Sequence, residues 1–135
     1  MLQLKYLLLL IVLISCKTNQ QMIEFQVARF PGCENEIDNK DKCAKDKMLE
    51  YVYKCIEYPN IFSGKRITGT VIVTFEVLDN GELSGLTISK GLNESIDMTV
   101  LSCFKKMENW IPSKDKNGNP FKTQFAIPIS FPRES

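Results

Sequence analysis

Hydrophobic positions change their spacing several times along the chain, and each change marks an element. The first pattern is a solid block. Tyr6–Ser15 reads Tyr-Leu-Leu-Leu-Leu-Ile-Val-Leu-Ile-Ser, and Met1–Lys5 before it carries one positive charge. The run is shorter than the ~20 residues that cross a bilayer core and matches the apolar region of an export signal. The second pattern is helical. Between Lys42 and Glu57, the residues Met48, Leu49, Val52, Cys55 and Ile56 form one apolar stripe. Tyr58-Pro59 ends it, because a proline pushes the residue before it out of the α region.

Alternation follows. Ile67, Gly69, Val71, Val73, Phe75 and Val77 share one face, opposite Thr68, Thr70, Thr74 and Glu76, with Ile72 the apolar exception. This predicts a half-buried strand, β1, over residues 67–78. Asp79-Asn80-Gly81 supplies a hairpin turn, expected as a type I′ loop with positive φ at Asn-Gly. Glu82–Lys90 returns as β2, with Leu86 and Ile88 inward. The helical stripe then recurs in Ile96, Val100, Cys103, Phe104 and Met107. Asn93 or Ser95 is its cap, and Glu94 and Asp97 suit the positive end of the helix dipole. Trp110-Ile111-Pro112 closes this helix, and Ser113–Pro120 reads as a polar loop turning at Asn117-Gly118-Asn119-Pro120.

The last strand, β3, spans Phe121–Phe131. Phe121, Phe125, Ile127, Ile129 and Phe131 point one way, and Lys122, Gln124 and Ser130 the other. Pro128 has no amide hydrogen to give a ladder, which assigns this strand to a sheet edge. The element order is helix, strand, strand, helix, strand. Short connections and a right-handed crossover favour an α+β fold, with two helices on one face of a three-stranded antiparallel sheet in the order β2-β1-β3. The organisation is a signal segment over 1–15, a tether over 16–29 and one domain over 30–135, its core within 44–131. Ile23–Val27 is a candidate extended edge segment, and the mixed charges between Phe30-Pro31-Gly32-Cys33-Glu34 and Lys47 read as a solvated surface.

Leu13-Ile14-Ser15-Cys16 closes the apolar block with a branched residue three before a cysteine and a small residue directly before it. This resembles the lipobox of bacterial lipoproteins, with Cys16 cut and lipidated. Removing residues 1–15 takes away only the charge of Lys5. Of 17 Lys and Arg, 16 then face 16 Asp and Glu, and the net charge is zero. No basic face emerges, so nucleic acid is not an indicated partner.

Four cysteines remain: Cys33, Cys43, Cys55 and Cys103. An even count in an exported chain suggests two disulfides, with three possible connectivities. Cys33–Cys43 is the favoured pair because the intervening turn allows easy closure. Cys55 and Cys103 lie on helix faces that should pack together, as a bond or as two small hydrophobes. Zinc is disfavoured, since the chain has neither histidine nor a Cys-x-x-Cys pair. Without histidine a cysteine nucleophile lacks its usual base. Glu76, Asp79 and Glu82 crowd a solvated hairpin tip, and Gly81 and Gly85 make no phosphate cradle. The reading is a binding protein with neither catalysis, metal nor cofactor.

From Tyr58 to Phe131 the chain resembles the TonB C-terminal domain family. Five pieces occur in register: Tyr58-Pro59, the Gly-x-Val-x-Val-x-Phe strand at Gly69–Phe75, Asp79-Asn80-Gly81-Glu82, Trp110-Ile111-Pro112, and Pro128-Ile129-Ser130-Phe131. Phe30-Pro31-Gly32-Cys33-Glu34 with Cys43 is similar to the leader before this domain in many TonB-like envelope proteins. The resemblance implies a domain that captures a segment of an outer-membrane receptor along the free edge of its last strand, here Lys122, Thr123, Gln124, Phe125, Ala126 and Ile127. Pairing to a strand edge gives sequence-tolerant affinity, and neighbouring side chains select the peptide.

The family's energy transducers carry a transmembrane helix with a histidine and a proline-rich spacer. This sequence shows neither. From Cys16 to Ala28 a tether reaches about 40 Å at most. The expectation is a lipid-anchored adaptor for an outer-membrane or periplasmic protein, engaged in TonB-related transport. Lys17 follows Cys16, so the aspartate that holds some lipoproteins in the inner membrane is absent, and the outer membrane is the expected site. The alternative is a structural envelope lipoprotein whose sheet edge is closed, for instance by Ile23–Val27. The oligomeric state is left open.

Overall fold

A computed structural model of the chain describes residues 25–56 and 67–132. The export segment, Cys16 and Tyr58-Pro59 lie outside the described residues. The sheet is built on β1, observed over Gly69–Val77, where Val71, Val73, Phe75 and Val77 are buried and the residues between them half exposed. β-Branched side chains fit such a pleated, one-sided surface. β2 (Leu83–Lys90) and β3 (Thr123–Phe131) flank β1, both antiparallel, in the expected order β2-β1-β3.

The two ladders differ in regularity. The β1–β3 register runs without a break from Gly69 opposite Phe131 to Val77 opposite Thr123. The β1–β2 ladder shifts twice, between Ile72 and Val73 and between Thr74 and Glu76. Among the described residues both outer strands are edges, but only β3 pairs in unbroken register.

The helices pack on the face that carries Val71, Val73 and Phe75. α1 spans Lys40–Cys55 and buries Ala44, Met48, Val52 and Tyr53, while Ile56 is buried just after it. α2 spans Glu94–Lys105 and buries Ile96, Val100, Cys103 and Phe104. Of its two candidate caps the structure uses Asn93, whose side chain accepts the Ile96 amide at 3.0 Å. α1 starts two residues earlier than the stripe suggests, at Lys40, and its N-cap Asn39 has φ 60° and no side-chain cap. A covalent tie stands beside that uncapped end, because Cys43 in the helix bonds to Cys33 in the leader. A second disulfide, Cys55–Cys103, joins the two helices.

Phe75 lies at the centre, with ring centroids 5.3 Å from Trp110, 5.6 Å from Phe104 and 5.7 Å from Phe125. Each large apolar side chain buried this fully contributes about 1.5–3 kcal/mol.

The structure corrects three local expectations. Phe121 does not lie in β3. It is 39% exposed and pairs with Ser113 in a short ribbon, Ser113–Lys114 against Pro120–Phe121. The stretch after Trp110 is therefore not a plain polar loop, and Ser113 is 1% exposed. The β1–β2 turn is not type I′. Leu78 and Glu82 close a three-residue loop in which the Gly81 amide donates to the Leu78 carbonyl, and Gly81 alone in it has positive φ, 88°. A long-range contact selects that form: the Gly81 carbonyl accepts the Trp110 amide at 2.8 Å.

Candidate functional site

β3 presents three different surfaces. Its helix-side face carries Phe125, stacked on Phe75 at 18° between ring planes, and Ile127, both half-buried. Its open face carries the exposed Gln124, Ala126 and Pro128. Its outer edge is the third surface, and among the described residues no strand pairs with it. Two of the residues assigned to partner contact are engaged elsewhere. Lys122 precedes the strand and pairs with Glu76 at 3.1 Å, and the Thr123 hydroxyl bonds that of Ser113.

Among the described residues, the leader does not close the edge. Gln26 pairs with Lys114 and Arg29 with Ile111, so residues 25–29 run beside the segment after Trp110 rather than along β3. Ser113 fixes this arrangement. Its buried hydroxyl accepts the Ala28 amide at 2.8 Å and meets the Thr123 hydroxyl, joining leader, ribbon and the start of β3 through one side chain. Phe30 extends the contact, edge-on to Trp110 at 6.0 Å. Further along, Lys47 donates to the Gly32 carbonyl and Cys33 bonds Cys43, so the leader is held on α1 as well.

Between leader, α1 and β3 an open groove of about 310 Å³ remains. Val27 and Ala28 line one side, Ala44 and Met48 the helix side, and Phe125 and Ile127 the strand side. Trp110 forms part of its wall, and among the described residues the buried Nε1 of Trp110 finds no acceptor. At the rim Arg29 pairs with Asp41 at 3.4 Å, so two opposite charges cancel there.

Of the ionisable groups with shifted titration, Lys42 is raised by its hydrogen bond to Asp46 within α1, and the other two serve turns. The Asn119 amide, and behind it that of Asn117, holds the Asp115 carboxyl below the usual aspartate value and ties the ribbon loop. The Gly32 amide does the same for Glu34. Among the described residues there is no group of three metal-ligating side chains, and no helix is long and apolar enough to cross a membrane.

The family description Gram-negative bacterial TonB protein C-terminal matches residues 55–132, more than half of the chain. The chain belongs to the TonB C-terminal domain family. No curated protein and no solved structure gave a match. Membership makes this a TonB-related protein of the cell envelope, in a family of non-enzymatic domains that interact with outer-membrane receptors or other proteins.

Three site features escape the sequence reading. Tyr53 had a signal, since Leu49, Val52, Tyr53 and Ile56 fall at helical spacing; its hydroxyl donates to the Ser130 carbonyl at 2.7 Å. Ser113 had none, being a serine in a polar stretch. The groove had none either, because its walls come from segments about a hundred residues apart.

Proposed function

We propose that the chain is a lipid-anchored envelope adaptor whose TonB C-terminal domain docks an outer-membrane or periplasmic protein by adding an extended segment of it to the edge of β3. The observation that carries this reading is the unbroken β1–β3 register with an outer side that no described strand occupies. A regular edge offers a row of amides and carbonyls, and natural proteins commonly blunt or cover such edges. β2, with its register shifts and a Gly85 at φ 62°, is blunted in that way.

The pairing window follows from alternation. In an antiparallel strand, alternate residues turn both N–H and C=O to the same side. Ser130, whose carbonyl takes the Tyr53 hydroxyl, shares its side with Gln124, Ala126 and Pro128. A carbonyl met by a helix side chain is turned off the ladder. On that side Pro128 has no amide and the Ser130 carbonyl is taken, which leaves Gln124 and Ala126 as the free pairing positions. They lie within the Lys122–Ile127 stretch that the family resemblance marks. Lipid attachment at Cys16, and outer-membrane placement, rest on the lipobox and on Lys17.

The test is photo-crosslinking in cells from Gln124, with Glu82 on the hairpin as control and mass spectrometry of the product. Capture of one outer-membrane receptor or transporter from Gln124 alone is the expected result. No capture, or equal capture from both positions, would leave a closed structural lipoprotein as the better reading.

A further inference from the structure

We infer that the groove beside β3 is the specificity pocket of that edge, and that the segment it accepts carries bulky apolar side chains at alternate positions, facing α1. This rests on strand addition at β3. A strand added there lies about 4.8 Å from β3, and its side chains stand ~5 Å from their cross-strand neighbours on the same face. The neighbours on the helix side are Phe125 and Ile127, which form the strand wall of the groove. Alternate side chains of the incoming segment are therefore delivered over Val27, Ala44 and Met48. The groove is close to the lower end of pocket sizes that hold small ligands, a volume suited to side chains. Arg29 is paired with Asp41 at its rim, and Lys45, also in the lining, leaves the groove one positive charge in excess.

One observation points to an occupant: Val27 and Phe25, at 40% and 55% exposed, leave apolar surface in water along the leader. A second copy of this chain does not fit the role. The helix-side residues of its β3, Phe125 and Ile127, are half-buried against their own core and have nothing to insert. The partner chemistry is an extended segment of another protein, polar on one face and apolar on the other.

The test uses two capped synthetic peptides, Lys-Thr-Leu-Thr-Leu-Thr-Lys and Lys-Thr-Ser-Thr-Ser-Thr-Lys, added to the ¹⁵N-labelled chain with its leader and both disulfides intact. The amides of Gln124 and Ala126 report the edge. The indole N–H of Trp110, the single tryptophan of the chain, reports the groove. The leucine peptide is expected to shift both sets and to bind about tenfold or more tighter than the serine peptide. Val27→Asp, an exposed change in the groove wall, is expected to erase that advantage. Ile37→Asp, at a site 92% exposed and outside the groove, is expected to leave it intact. Equal affinity of the two peptides with shifts only at Gln124 and Ala126 would overturn the pocket and leave strand addition standing. No edge shift with either peptide would overturn both readings. A response of Trp110 alone would show a cavity uncoupled from the edge, which also overturns the inference.

Discussion

At Gly81 the backbone takes φ 88°, and a Cβ built there would lie 2.0 Å from the Trp110 carbonyl oxygen. The position demands both a left-handed conformation and the absence of a side chain, because the hairpin tip closes directly on the Trp110 backbone. Gly118 shares the positive φ, 81°, but its Cβ would meet nothing within 4 Å. The pair separates conformational strain from collision. Gly118→Ala should cost about 1–2 kcal/mol, the penalty of a left-handed alanine. Gly81→Ala should cost clearly more, since the backbone of Trp110 has to move and Trp110 packs on Phe75, Phe30 and Phe125. Urea unfolding of the two variants is the measurement, and equal losses would mean that the tip yields without disturbing Trp110. The sequence showed the glycine in the turn. It did not show the type of turn, because the deciding contact lies almost thirty residues away.

Long periodic elements were legible in the sequence: the alternating faces of β1 and β3, the two apolar stripes and the edge position forced by Pro128. Their boundaries moved by a few residues. The ribbon of Ser113–Lys114 and Pro120–Phe121 was not legible, since two-residue strands have no period to read. The disulfide framework was legible as alternatives, and the structure selects Cys33–Cys43 and Cys55–Cys103. Their separations of 10 and 48 residues predict different contributions. Loop-closure entropy gives ~3 kcal/mol for the shorter and ~4 kcal/mol for the longer. Cys103 is also buried between the helices, at 1% exposed, so removing the longer bond loosens the core as well. A Cys55→Ala/Cys103→Ala variant should therefore lose more unfolding free energy than Cys33→Ala/Cys43→Ala, whose damage should centre on the leader. Chemical unfolding combined with amide exchange distinguishes them. Uniform loss of protection across the sheet in the Cys33/Cys43 variant would show the leader to be integral to the core rather than fastened onto it.

For the whole molecule, the leader changes how far the domain can stand from a membrane. Counted from Cys16 to Ala28, the sequence allowed about 40 Å of reach. The structure docks the chain from Gln26 onward, through Ala28 and Arg29, so the stretch between Cys16 and Gln26 spans about 33 Å at most. A domain anchored at Cys16 would therefore work close to its own bilayer, and its partner segment would have to be presented there. The groove that would receive such a segment exists only because this docked leader supplies one wall. Anchoring at Cys16, as proposed, would use a residue separate from the fold, since Cys16 lies outside both disulfides. Cys16→Ala is accordingly expected to abolish signal cleavage at that site and acyl labelling, and to change how the protein partitions with membranes. The unfolding profile of the expressed domain should stay the same. Metabolic labelling with a fatty-acid analogue and intact-mass analysis of the membrane fraction read this directly. A Cys16→Ala protein that is still trimmed to the same mature start and still acylated would rule out lipid attachment at this cysteine, and with it the short reach on which close-range docking depends.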